Sequence, residues 1–203
     1  MIRHSRLFTE KSEVNIDPTG EWLLEARQVQ SPNCDARPAG SEVSLVVIHG
    51  ISLPPGHYGG PEIDRLFTNR LDPGAHPCFA PLAGLRVSTH LLIRRDGELV
   101  QYVPFNLRAW HAGDSCYDGC SACNDFSIGI ELEGQDHDPY TAVQYEQLAA
   151  VLQVLIATFP RLSAGRIAGH SDVAPGRKTD PGPAFEWDLL QQRLAALQSR
   201  PVG

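Results

Sequence analysis

The run VSLVVI at residues 43–48 constrains the fold most, because its apolar, largely β-branched residues follow one another with little polar alternation. A strand with one wet face alternates; a run of this kind reads as a strand covered on both faces, as in sheets flanked by helices. The run ends at His49 and gives way to SLPPGHYGGP, a loop with three prolines and three glycines. A side chain at such a junction can reach a cleft while the sheet holds its backbone rigid.

The remaining periodicities extend this frame. EIDRLF (62–67) reads as a short helix with Ile63, Leu66 and Phe67 on one side. RVSTHLLIRRDGELVQYV reads as two strands joined at Asp96-Gly97, a dipeptide whose backbone suits a tight hairpin turn. FSIGIELEG (126–134) alternates, with Ile128, Ile130 and Leu132 on one face and Gly129, Glu131 and Glu133 on the other. The first face is expected to pack, and the second to carry carboxylates. TAVQYEQLAAVLQVLIATFP predicts an amphipathic helix, capped by Thr141 with Gln144 and stopped by Pro160. RIAG before His170 suggests another short strand, and a last helix is expected over about 184–197. Strands mixed with helices, one hairpin among them, imply an α/β layer fold with a mixed β-sheet flanked by helices. Residues 1–22 lack sustained periodicity and read as an N-terminal extension, leaving 23–203 as a single domain.

Composition narrows the partners. A net charge of −7 argues against nucleic acid, whose phosphates need a basic surface. The first twenty residues hold no apolar run of a signal peptide or membrane anchor, so a cytoplasmic location is expected. Five cysteines, an odd number, describe no disulfide framework and suit a reducing compartment. Cys116, Cys120 and Cys123 are spaced C-x3-C-x2-C and would bind a metal only if a fourth ligand joined them.

AGHSDVAPGRKTDPGPAFEW (168–187) reads as a stretch that cannot form helix or strand, yet it concentrates His170, Lys178 and Asp180 among prolines. Together with His49 these supply two imidazoles and a carboxylate, a suitable set for a catalytic Zn²⁺ that keeps a fourth position for water. Spacing alone does not separate such histidines from structural ones, nor Glu131 from Glu133.

The blocks VVIHGISLPPGHYGGPEID, LRVSTHLLIRRDGELVQYVPF, AWHAG, CNDFSIGIELEG and GHSDVAPGRKTDPGPAFEW together resemble cytosolic 1,6-anhydro-N-acetylmuramoyl-L-alanine amidases of the AmpD type. These belong to a zinc amidase superfamily that includes peptidoglycan recognition proteins and phage T7 lysozyme-like amidases. The resemblance runs from about residue 31 to Trp187, in one order. It implies that residues 23–203 form a zinc amidase domain with His49, His170 and Asp180 as metal ligands. It places the catalytic carboxylate on Glu131 and a catalytic ammonium on Lys178. Glu133 is then expected to be a solvated charge at a strand end. In the implied reaction, zinc lowers the pKa of water toward about 7. Glu131 takes the proton and returns it to the leaving amine, while Lys178 stabilises the tetrahedral oxyanion.

Trp110 and Arg86 are the substrate-binding positions implied, the first as a wall against sugar or peptide, the second toward peptide carboxylates. The implied substrates are anhydro-muramoyl peptides, small soluble cell-wall fragments. His90 and His111 are read as structural, and His57 and His76 as loop residues. Two positions depart from the pattern: Gly50 stands where the family usually has Asn, and Ala122 where it often has a basic residue. A muropeptide-binding module without activity, and an amidase indifferent to the anhydro ring, are the rival readings. The intact ligand set favours an enzyme.

Overall fold

The computed structural model describes residues 14–198. Ten strands occur in chain order: β1 (Arg27–Gln28), β2 (Cys34–Ala36), β3 (Leu45–Ile51), β4 (Leu91–Ile93), β5 (Leu99–Gln101), β6 (Leu107–Ala109), β7 (Cys116–Tyr117), β8 (Cys120–Ser121), β9 (Ser127–Glu133) and β10 (Ile167–Gly169). Six of them form the central sheet in the order β1-β5-β4-β9-β3-β10. Only the β4–β5 hairpin is antiparallel, and its turn at Asp96-Gly97 puts Gly97 at φ 91°, a value that glycine adopts without strain. The mixed α/β sheet expected from the sequence is therefore present.

The helices are α1 (Glu62–Phe67), α2 (Ala142–Thr158), α3 (His170–Val173) and α4 (Trp187–Gln198). Thr141 caps α2: its hydroxyl accepts from the Gln144 backbone, and the Gln144 side chain accepts from the Thr141 backbone. The helix ends at Thr158, ahead of Pro160. α4 begins at Trp187 rather than near 184, because Pro183 interrupts the approach and the Ala184 and Phe185 amides serve turn bonds to Asp136 and Gly182.

α2 and α4 cover one sheet face, where Val46, Ile48, Leu91, Ile93, Ile128, Ile130 and Leu132 meet Leu148, Leu152, Leu155, Leu190 and Leu194. On the opposite face, α1 packs near Leu92 and Val100, and Ala112, Cys123 and Val173 pack on Leu45 and Val47. β9 is thus buried at all seven residues. The second face carries Glu131 and Glu133 as expected but is itself covered: the His111 ring lies against Gly129, and Gly59, Arg94 and Arg95 close over Glu133. Val14 and Ile16 join the helix-covered core, and an isolated bridge links Ile16 to Leu23.

Candidate metal centre

β3 and β9 run parallel in a register that sets His49 beside Glu131 and Val47 beside Gly129. β3 extends through His49 to Ile51, so the histidine sits inside the strand rather than at its end. His49 and Glu131 have the same parity as Leu45 and Val47 and therefore leave the sheet on the face away from α2 and α4. His170 enters from β10, the neighbour of β3 on its other side, as the first residue of α3. This is one short turn of helix in a stretch expected to form none, because its prolines begin only at Pro175. Asp180 arrives on the following loop, which is anchored by Ser171 N donating to Asp180 O at 2.9 Å and by Tyr140 Oη donating to Pro181 O at 2.9 Å.

The three side chains converge. His49 Nδ1 lies 2.9 Å from His170 Nδ1, and Asp180 Oδ2 lies 3.3 Å from the first and 3.0 Å from the second. Among the described residues, this is the group of His, Cys, Asp or Glu side chains that could hold a metal ion. Both histidines are buried and Asp180 is partly so. The donor set can be tested against an ion from the molecule itself. His170 Nε2 faces the Ala112 carbonyl at 3.3 Å, which can only accept, so in the neutral ring the lone pair belongs to Nδ1. That lone pair then faces His49 Nδ1 and the Asp180 carboxylate, each about 3 Å away and themselves in contact. One proton cannot satisfy all three contacts, whereas a cation among them can, so the residues fit a metal ion.

The electrostatics agree. Burial lowers the His49 pKa to about 4, with Asp180 opposing and the His170 and Lys178 charges reinforcing the shift; a neutral imidazole is the form that ligates. Burial pushes the Asp180 carboxyl up, but its bonds with His170 and His49 outweigh this and hold it well below the carboxylate range.

Glu131 is buried, and its Oε2 has no hydrogen-bond partner. Burial, joined by the Asp180 charge and opposed by Lys178, raises its pKa well above the ordinary 4.5. Lys178 is itself exposed, near enough for its charge to act on Glu131 and His49. A cleft of about 540 Å³, lined by Gly50, Ser52, Gln135 and Asp138 among others, opens at the C-terminal ends of β3 and β9. Clefts at the C-terminal ends of strands are where ligands bind in α/β sheets.

Other expectations fare differently. Glu133 is 1% exposed: Arg94 Nη1 at 3.1 Å, Arg95 N at 3.1 Å and Gly59 N at 2.7 Å all donate to it. It is a buried structural anion, not a solvated strand-end charge. Trp110 is half-buried, its indole nitrogen donating to Asp35 Oδ1 at 3.2 Å, and Arg86 is exposed on the stretch before β4. Cys116 and Cys120 lie on the β7–β8 hairpin and Cys123 is buried, so the cysteines form no metal group among the described residues. His90 is structural, Nδ1 accepting from Gly129 N at 3.0 Å. His111 comes within 2.9 Å of His49 Nε2, an association that no spacing in the sequence signals. A Cβ at Gly50 would collide with the Tyr140 hydroxyl, so a side chain there requires Tyr140 to move.

The chain matches the N-acetylmuramoyl-L-alanine amidase family model over residues 39–183. It is 62% identical over 166 residues to the 1,6-anhydro-N-acetylmuramyl-L-alanine amidase AmpD of Escherichia coli K12, an alignment covering 82% of this chain and 90% of that protein. The crystal structure of a Se-Met AmpD derivative matches with a TM-score of 0.85 at 58% identity, covering 88% of this chain and 98% of the other. The amidase AmiD of E. coli, solved with the substrate anhydro-N-acetylmuramic acid-L-Ala-D-γ-Glu-L-Lys, matches with a TM-score of 0.55 at 28% identity, covering 89% and 65%. With the fold, the family match and these identities in agreement, the chain belongs to the N-acetylmuramoyl-L-alanine amidase family.

Proposed function

We propose that this chain is a zinc-dependent amidase that hydrolyses the bond between the lactyl group of 1,6-anhydro-N-acetylmuramic acid and L-alanine, acting in the cytoplasm on soluble cell-wall fragments during recycling. The catalytic unit is the domain 23–203, with residues 1–22 as an extension. No helix among the described residues is long and apolar enough to cross a membrane. One observation carries the reading: three ligand atoms 2.9–3.3 Å apart sit beside a buried carboxylate with an unpartnered oxygen on the adjacent strand.

His49, His170 and Asp180 would hold the zinc, the two-imidazole, one-carboxylate set of catalytic zinc sites. When bound, zinc lowers the pKa of a water and polarises the scissile carbonyl. Glu131 is the proton carrier. Its burial raises its pKa above the ordinary carboxylate range, which makes it a stronger base for the proton it takes and later gives back. The free Oε2 is the atom that accepts the proton and later delivers it to the departing alanine nitrogen. Lys178 brings a positive charge to the same side and offsets the negative charge that develops on the carbonyl oxygen. Trp110 and Arg86 are the proposed contacts to sugar or peptide and to peptide carboxylates. Trp110 supports this role by immediately preceding His111, which borders the centre.

Incubating zinc-loaded protein with an anhydro-muramoyl tripeptide should release free peptide, and chelation should abolish release until zinc is restored. Folded, metallated protein that releases nothing would overturn the proposal.

A further inference from the structure

His111 plays no part in the reaction described above, yet it is built into the centre with a hydrogen-bond direction that can be worked out. The carbonyl of Cys123 can only accept, so the single hydroxyl hydrogen of buried Ser127 is committed to it, at 2.6 Å. Ser127 Oγ therefore faces His111 Nε2, 3.2 Å away, as an acceptor. His111 Nε2 must carry the ring proton, and the neutral ring has its lone pair on Nδ1. His49 Nε2, 2.9 Å from that lone pair, must in turn be the donor. His49 Nδ1 is then left bare, and it is the atom facing His170 Nδ1 and Asp180 Oδ2.

The surroundings hold this chain in place. The His49 and His111 rings meet edge-on at 89°. A Cβ at Gly129 would collide with the His111 ring, so glycine on β9 makes room for it. Asn124 Oδ1 accepts from the backbone N–H of both His111 and Ala112, at 3.1 and 2.8 Å. Ala112 O is the group that takes the Nε2 proton of His170. One dipeptide thus addresses both imidazoles of the centre.

We propose that His111 is a positioning residue for the metal centre: it accepts the His49 Nε2 proton and locks His49 in the tautomer that turns a lone pair toward the ion. This rests on the zinc reading. Partners that orient a metal-bound histidine typically contribute 10–100-fold to metal affinity.

The test is a competitive zinc titration of wild type, His111→Ala, His111→Asn and Ser127→Ala, with long-range ¹H–¹⁵N spectra of the imidazoles in the metal-free proteins. Wild type should bind one zinc with His49 in the Nε2–H form. His111→Ala should bind about 10–100-fold more weakly, with His49 distributed between tautomers. Asn places an amide oxygen near the position of Nδ1, so His111→Asn should recover most of the affinity and the single tautomer. A folded His111→Ala with unchanged zinc affinity and an unchanged His49 spectrum would overturn the proposal. Should His111→Ala fail to fold, Ser127→Ala decides the question, because losing the terminal acceptor should disturb the His49 tautomer and an undisturbed one refutes the relay. If wild type binds no zinc, the metal reading fails by itself, while the metal-free spectra still settle the hydrogen-bond direction.

Discussion

Along β9, Ile128, Ile130 and Leu132 enter the core beneath α2 and α4, while Ser127, Gly129, Glu131 and Glu133 enter the opposite, loop-covered face. Both sets are buried, so burial does not distinguish them; partners do. The apolar set meets other hydrocarbon and adds stability with every methylene. Glu133 is neutralised by Arg94 and saturated with donors, whereas Glu131, two residues earlier, has an oxygen with none. An unsatisfied buried polar atom costs about 1–3 kcal/mol. The residue assigned chemistry is the one whose surroundings serve it badly in the resting protein.

That contrast can be broken at four positions. The largest effect is expected at Glu131→Gln, where the hydrolysis rate should fall about 10²–10⁴-fold, as removal of a general acid-base does. Stability should move the other way. Burial raises the Glu131 pKa in the fold, so wild-type stability declines as pH rises above the ordinary 4.5, and Gln removes that decline. Melts of metal-free protein at pH 8 should show Glu131→Gln at or above wild type. Loss of stability with full activity would reverse the assignment of the two glutamates.

Glu133→Ala should be the mirror image, because it removes the acceptor of the Arg95 and Gly59 amides and one of the three carboxylates, with Asp64 and Glu98, that hold the Arg94 guanidinium. Each buried donor left without its acceptor costs about 1–3 kcal/mol, read as a drop in denaturant midpoint. Ile130→Ala, on the other face, should cost about 2–5 kcal/mol through the cavity it leaves, with zinc stoichiometry and kcat nearly unchanged in the folded fraction. A fall in kcat there would show that the two faces are not independent.

The smallest effect is the acid response of His90. Burial, aided by the Arg37 charge, depresses its pKa to about 3, so the unfolded chain takes up the proton first as pH falls below 6.5. Its contribution is fully present above 6.5 and fades toward 3, amounting to a loss of about 2 kcal/mol by pH 5. Chemical denaturation of metal-free protein at pH 7 and pH 5 measures this loss. His90→Asn, which can still accept from Gly129 N, should flatten it.

The local grammar of the fold was readable before any coordinates. The Thr141–Gln144 cap, the Asp96-Gly97 hairpin and the apolar run of β3 depend on neighbours in sequence and occur where periodicity puts them. The burial of Glu133 is not legible in the sequence, because alternation reports which residues share a face but not what covers that face. Its cover is Gly59, Arg94 and Arg95, brought in from elsewhere in the chain. Spacing left His49, His170 and Asp180 unresolved because they are 121 and 10 residues apart, joined only through the β3–β10 pairing. Likeness to a known family selected them, and the converging atoms fit that selection. His111 escaped notice for a related reason: it lies outside the named strands and helices and meets His49 only when that segment lies across β9.

The pairing of β3 with β10 also has a temporal side. During synthesis His170 and Asp180 are made 121 and 131 residues after His49, and after β4, β5 and β9, the strands on the other side of β3. A lone imidazole is a poor trap for a divalent ion, so over that interval the growing chain lacks the three-residue set. An ion held by this set would be taken up only once β10 has docked on β3, which would tie metal loading to completion of the sheet.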